Sequence, residues 1–278
     1  MAAAARVLNI SASAVAQQLH ALERDLDAAL LVRVGRTMRM TEQGARILGP
    51  ARTLLRDATD LRSVAHDSAV TGELRLGACT TPLTGLLPDI LARLSGRFPQ
   101  VKIHIQSGNS AQLFVDVETG KLDAALVLEA PYPLPKTCDW LLLREEPLIV
   151  LAPRSLAGGD PLTLLREEPF IRYDRNQWGG RSADLFLAEV GIIPHERFEL
   201  AALNAIAMMV DRGLGVSLVP NWAPPWPEGL DVLPLPLPVR RVGRRIGIVW
   251  SRSSVRTRLL SELLRESANS PTADERAP

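Results

Sequence analysis

At 278 residues, 46% hydrophobic and 23% charged, the chain has material for one large or two to three small domains with a proper core, and it reads as an ordinary soluble globular protein. A net charge of +1 excludes a global electropositive field, so any nucleic-acid contact has to come from local patches; all but three of the 32 basic residues are Arg, but they spread over the whole sequence as a coding bias would leave them. Cys79 and Cys138 form no disulfide framework and no C-x-x-C, the alanine-rich start is interrupted by Arg6 and Asn9 before a signal-peptide core could form, and no run of 18 apolar residues occurs, so reduced thiols and a cytoplasmic, non-membrane protein are expected.

The spacing predicts a short helix over Ala2 to Leu8, ended by Asn9, a residue that tolerates positive φ. Ser11 then caps a second helix through Leu26, because its hydroxyl can accept from an unpaired first-turn N–H. Val15, Leu19, Leu22 and Leu26 form one apolar stripe on it, and Ser13, Gln17, His20 and Arg24 face the other way. Helix, tight turn and second helix with small polar residues near its start outline a helix-turn-helix, although any helical protein can contain two such helices. Next come Arg33, Arg36 and Arg39 around Gly35, with no acid among them and Val34, Met38 and Met40 alternating. This predicts a two-stranded wing whose arginines could meet phosphates; a solvated hairpin would read alike.

Thr41 can cap a long helix to about Ser68 with Pro50 inside it. Ile47, Ala51, Leu54, Ala58, Leu61 and Ala65 step by 4, 3, 4, 3 and 4, a heptad seam. Such a helix is roughly 40 Å long, too long to bury its stripe on a small winged domain, so a second copy of the chain is the natural partner.

After Thr71-Gly72 strand and helix alternate. Leu74 to Ala78, Val101 to Ile105 and Ala124 to Leu128 read as strands, and helices are marked by Leu87 to Phe98 and by Leu113 and Val117. This predicts a parallel sheet covered on both faces. Leu148 to Ala152 reads as the crossing into a second unit, where Phe170 to Tyr173, a helix Ser182 to Val190, Phe198 to Leu200, a helix Asn204 to Arg212, and Val216 to Pro220 repeat the alternation. Ile246 to Trp250 and a helix Val255 to Glu266 lead back, and the polar tail after Asn269 reads as disordered.

These residues resemble a known family. Ala3-Ala4 through Leu8, N-I-S-A-S-A-V-A-Q-Q-L-H-A-L-E, L-L-V-R and T-E-Q-G are similar to the winged helix-turn-helix of LysR-type transcriptional regulators. G-E-L-R-L-G at Gly72 to Gly77 and D-R-G-L-G-V-S-L-V-P at Asp211 to Pro220 resemble their effector-binding part, which shares its fold with periplasmic solute-binding proteins. The resemblance implies an α/β fold class: a winged helix-turn-helix over 1–44, a dimerisation linker helix over 45–70, and a two-lobed effector-binding domain over 71–268. Lobe I would take about 73–150 and 250–268, lobe II about 151–249, and the tail 269–278. By position, Ala12, Ser13, Ala16 and Gln17, with Ser11 and Gln18 beside them, would face the major groove of promoter DNA, and Arg33, Arg36 and Arg39 the backbone. The family usually has Ser at Ala16, a basic residue at Gln17 and Gly at Asp27; Gln17 can still read adenine, with about 1–3 kcal/mol of discrimination. Its domain opens with a further helix, which Met1 comes too late to supply, so a misplaced start codon or truncation is expected, and Val15, Leu19 and Leu22 should lose part of their cover. A remnant regulator without DNA binding, or a cytoplasmic small-molecule-binding protein, is the alternative.

In open parallel sheets ligands bind beyond the carboxyl ends of strands, against helix N-termini. That rule selects Cys79-Thr80-Thr81, Asn109-Ser110 after Gly108, Glu129 after Leu128, Tyr173-Asp174-Arg175, and Asn204. Their hydroxyls and amides favour a small carboxylate, and the resemblance puts Thr80, Thr81, Ser110 and Asn204 foremost among the effector contacts. His20, His66, His104 and His195 stand far apart without H-x-x-x-H, and neither G-x-S-x-G nor a phosphate loop occurs, so no metal, cofactor or catalytic residue is expected. The reading is a ligand-responsive, DNA-binding regulator acting as a dimer or tetramer, and not an enzyme.

Overall fold

The computed structural model describes residues 2–35, 37–65, 72–238, 243–254 and 256–268. The chain divides into two compact units, Met1–Arg62 and Ser63–Pro278.

In the first unit, helices α1 (Ala2–Leu8) and α2 (Ala12–Asp25) are joined through Asn9 at φ 53°, the left-handed conformation expected there. The Ser11 hydroxyl accepts from the Ala14 N–H at 3.1 Å and caps α2. Asp27, at φ 47°, makes the turn into strand β1 (Leu31–Val34), which pairs antiparallel with β2 (Thr37–Met40). Val34 opposite Thr37 leaves a two-residue turn that Gly35 enters at φ 62°. Glu23 ties α2 to this hairpin: its carboxylate accepts from the backbone N–H of Leu30 at 2.8 Å and of Leu31 at 3.1 Å. Helix α3 (Glu42–Ala65) is capped by Thr41, whose hydroxyl accepts from the Gly44 N–H at 3.0 Å, and Pro50 lies inside it. The expected continuation to Ser68 lies outside the described residues. On the heptad seam Ile47 and Ala51 are half-buried, and Leu54 and Ala58 are exposed.

The second unit is built on β3 (Gly72–Ala78), β4 (Val101–Ser107), β5 (Ala124–Leu128), β6 (Cys138–Pro153) and β11 (Gly243–Ser251). β4, β3 and β5 run parallel, as the alternation predicts, but β11 is antiparallel to both β5 and β6. The sheet is therefore mixed, because β11 returns between β5 and β6 against the direction that those two strands share with β3 and β4. One face carries Leu74, Leu76, Leu126 and Ile248 under helices α5 (Leu87–Arg97) and α10 (Thr257–Ala268). The other carries Ala125, Val127 and Val249 under α6 (Ser110–Glu118). Successive strand residues point to opposite faces, so the unbroken apolar run Ala124–Leu128 fills both cores.

β6 is the shared element. Its first part pairs with β11, and its last residues pair with β9 (Ser217–Pro220) and β10 (Val232–Pro236), so Leu148 to Ala152 is the end of a strand of 16 residues. Leu148, Val150 and Ala152 pack with α7 (Pro161–Glu167) and α8 (Trp178–Glu189); Ile149 and Leu151 pack on the other side with α9 (Leu203–Asp211). Parallel strands β7 (Pro169–Tyr173) and β8 (His195–Leu200) complete this second lobe. The short helix α4 (Thr80–Gly85), α7 and β10 were not expected from the pattern. The last helix starts at Thr257; Val255 and the tail after Asn269 lie outside the described residues.

Candidate functional site

Between the two lobes lies a cavity of about 240 Å³. The carboxyl end of β3 delivers Cys79, Thr80 and Thr81 to it, β4 delivers Gly108, Asn109 and Ser110, and β5 delivers Leu128. From the second lobe come Tyr173 at the end of β7, Gln177 to Gly179 at the start of α8, and Ala201 to Asn204 at the start of α9. Of the expected contacts, the cavity thus brings together Cys79, Thr80, Thr81, Asn109, Ser110, Tyr173 and Asn204. It does not take Glu129, Asp174 or Arg175. The Glu129 carboxylate receives Arg245 Nη1 at 2.8 Å on the outer face, Asp174 caps the Asn176 N–H at 2.9 Å, and Arg175 pairs with Glu196 and Glu199.

The local chemistry follows from these placements. Asn109 accepts from the Gln112 N–H at 2.8 Å and caps α6. The Ser110 hydroxyl accepts from the Leu128 N–H at 3.1 Å, which stitches the ends of β4 and β5. Helices α8 and α9 begin at Gln177 and Ala202 with no side-chain cap, so their first N–H groups stay available to an anion. Gly179 cannot be replaced cheaply, since a Cβ there would meet Tyr173 Oη at 2.8 Å. Trp178 closes the cavity as part of an aromatic cluster with Phe114 and Tyr132, with ring centroids 6.2 and 5.8 Å away.

The sequence reading missed Arg244. Its guanidinium donates through Nε to Glu146 Oε2 at 2.7 Å, through Nη2 to Thr81 Oγ1 at 2.7 Å, and through Nη1 to Tyr173 Oη at 3.4 Å. One side chain therefore touches both lobes and a fully buried carboxylate on β6. Burial works most strongly on Arg244, against its charge, but the Glu146 carboxylate together with Tyr173 and Cys79 outweighs it, and the guanidinium pKa is raised. Burial also pushes up the Tyr173 phenol and the Cys79 thiol, despite Arg244 nearby, so both are neutral at physiological pH. A signal was present in the sequence: E-E at Glu145-Glu146 and R-R at Arg244-Arg245 are complementary doublets. In antiparallel register Arg244 faces Glu146 and Arg245 faces Glu145, and the strand period sends one pair inward and the other out.

In the first unit, Ser11, Ala12, Ser13, Gln17 and Gln18 are exposed at and after the start of α2, with Ala16 half-buried beside them. Arg33 and Arg39 are exposed on the two strands of the hairpin, Arg33 Nε donating to Gly35 O at 3.2 Å. Arg36 lies outside the described residues. Among the described residues no group of three His, Cys, Asp or Glu is placed to hold a metal ion, and no helix is long and apolar enough to cross a membrane.

Residues 67–269 match the LysR substrate binding domain, and residues 1–45 the bacterial regulatory helix-turn-helix of the lysR family. The chain belongs to the LysR family. It is similar to the probable hydrogen peroxide-inducible genes activator of Mycobacterium avium, 30% identical over 271 residues covering 94% of this chain and 86% of that one. It is also similar to the transcriptional regulator CysB of Haemophilus influenzae, 29% identical over 229 residues covering 79% and 70%. Full-length OxyR of Pseudomonas aeruginosa, solved as a point variant, has the same fold, with a TM-score of 0.65, 24% identity, and coverage of 96% of this chain and 88% of that one. This LysR-type protein is thus a DNA-binding transcriptional regulator with an effector-binding part, and not an enzyme.

Proposed function

We propose that this LysR-type regulator acts in the cytoplasm as a dimer or tetramer, reads promoter DNA with α2 and the β1–β2 wing, and answers to a small carboxylate held in the cavity between its lobes. In this reading 1–44 is the DNA-reading domain, 45–70 the self-pairing helix, and 71–268 the sensor, with lobe I about 73–150 and 250–268 and lobe II about 151–249. The observation that carries it is the convergence of the starts of α6, α8 and α9 on one cavity that also holds the Arg244 guanidinium. An effector that binds one interlobe angle more tightly than another shifts the population toward it, and with it the spacing of the DNA-reading ends. Gln17 reads an adenine edge, and Arg33, Arg36 and Arg39 hold phosphates.

The test has two arms. Gel shift on the intergenic DNA beside the gene should show binding that Gln17→Ala relaxes in sequence preference and Arg33→Ala weakens uniformly, with a salt slope smaller by about 1. Calorimetry with candidate carboxylates should show weaker binding to Thr81→Ala than to wild type; equal affinity removes Thr81 from the site. A thiol-based response, suggested by the relatives named as peroxide-inducible activators, is not favoured. Cys79 and Cys138 are both buried, and burial raises both thiols, so neither offers thiolate to an oxidant at neutral pH.

A further inference from the structure

Arg244 is the only charged side chain lining the cavity among the described residues, and its side chain is 3% exposed. A guanidinium carries five N–H donors. Three have acceptors, in Glu146, Thr81 and Tyr173. The other two have none among the described residues, although a buried donor left unmade is costly. Glu146, behind it, cannot swing round to satisfy them: it is itself fully buried, accepts from the Ala223 N–H at 2.9 Å, and lies 3.4 Å from Arg144 Nε. The cavity, at about 240 Å³, is smaller than the roughly 300–1,000 Å³ of pockets for drug-sized ligands.

We propose that Arg244 is the residue that sets effector specificity: its two unused N–H groups receive the carboxylate of a small monoanion whose body is apolar. This rests on the cavity being the effector site. The charge follows from the balance of the site. Two guanidiniums, Arg244 in the cavity wall and Arg144 behind it, share the one buried carboxylate of Glu146, which leaves one positive charge over. The remaining ionisable lining groups, Cys79 and Tyr173, are neutral. A first carboxylate meets the unused fork and the uncapped starts of α8 and α9. A second would be stripped of water against Leu128, Leu203 and Trp178 with no cation to receive it. A neutral amide offers the fork a weaker acceptor, and an ammonium group meets only repulsion. Glu146 acts as a positioning residue that fixes the plane of the fork from the opposite strand.

The full-length chain decides this by calorimetry at constant ionic strength. The probes are acetate, isovalerate and benzoate, each against its own amide, with succinate and phthalate as dianions. In the wild type at least one monocarboxylate binds about tenfold or more tightly than its amide and its dianionic counterpart. In the double variant Arg244→Gln/Glu146→Gln, which removes both charges of the pair together and leaves the partly exposed Arg144 without its carboxylate, that preference falls below about threefold. Arg244→Lys keeps the preference for the anion but binds it about tenfold more weakly, because the fork is gone. The assignment is overturned by a folded double variant that keeps the preference, by a Lys variant of undiminished affinity, by dianions or amides binding as well as monoanions, or by no probe binding at all. Ala202→Trp, which fills the cavity, separates the two layers. Carboxylate binding that survives it removes the cavity as the effector site. Binding lost there, with an unchanged preference in the double variant, removes Arg244 alone.

Discussion

Helices α2 and α5 carry apolar stripes of the same period but keep them differently. On α5, Leu87, Ile90 and Leu94 are sealed against β3, β5 and α10. On α2 no residue is buried: Val15 and Leu19 are half covered, and Leu22 and Leu26 are 45% and 43% exposed. The two units repeat this contrast, for on α3 Leu54 and Leu55 stand 72% and 71% exposed. A 3.6-residue period says which face wants a partner; it does not supply one, and short helices owe most of their stability to that partner. The second unit provides its own, with sheets covered on both faces. The first leaves its stripes open, as a part that completes itself in an assembly does.

The largest effect should come from the buried ion pair. Glu146→Ala leaves Arg244 charged and unpaired in the interior and removes the acceptor of the Ala223 N–H, at a cost of about 3–5 kcal/mol to the second unit. Urea unfolding followed through the tryptophans, all five of which, Trp140, Trp178, Trp222, Trp226 and Trp250, lie in that unit, reads it directly. A loss under about 1 kcal/mol, the range of a surface pair, would mean that water reaches the pair in solution.

The contrast between stripes is tested by the same truncation on each side. Leu94→Ala should cost about 2–5 kcal/mol, because it opens a cavity in a close-packed core. Leu22→Ala, already half in water, should stay near the roughly ±0.5 kcal/mol of surface changes in the monomer. If Leu22→Ala costs as much as Leu94→Ala in dilute protein, α2 is covered in solution and the comparison fails.

A smaller effect belongs to the turn after α2. Asp27 holds φ 47°, where an L-residue costs about 1–2 kcal/mol and Gly nothing, while Gly surrenders about 0.5–1 kcal/mol of chain entropy on folding. The difference favours Asp27→Gly by about 0.5 kcal/mol, visible as a raised melting temperature of the first unit. No gain would show that the Asp side chain compensates the backbone locally.

Much of the site could be read before the structure, because its residues sit at the ends of strands that local pattern reveals. Alternation placed β3, β4 and β5, and the loops after them carry Thr80, Thr81, Asn109 and Ser110 into the cavity. Ser11 and Asn9 were legible because caps and left-handed turns are chemistry of neighbouring residues. Arg244 was not, since its partner Glu146 is 98 positions away and pairing register is a property of the folded sheet. Glu129 missed the cavity for the same reason: β11, lying beside β5, offers Arg245 to its carboxylate. Most of β6 was hidden because R-E-E-P breaks the apolar run, and β10 because L-P-L-P reads as loop; an edge strand tolerates those prolines.

Glu23 gives the finest test of the first unit, because it holds α2 to the wing without an apolar core. Accepting from Leu30 and Leu31 N–H keeps its carboxyl below the ordinary value; burial opposes this slightly, and His20 beside it adds to the lowering. The sign follows. A depressed folded pKa means that the contribution is complete above the unfolded pKa and disappears as pH falls through the folded one, so acid should loosen the wing while neutral solution keeps it docked. Protection of the Leu30 and Leu31 amides against hydrogen exchange, corrected for intrinsic rates, should therefore drop in mild acid. It should be lost at all pH values in Glu23→Ala, with the amides of Ala124 to Leu128 in β5 unchanged. Protection that survives Glu23→Ala would show that the wing is held by its own ladder from Leu31 to Met40, and not by the helix.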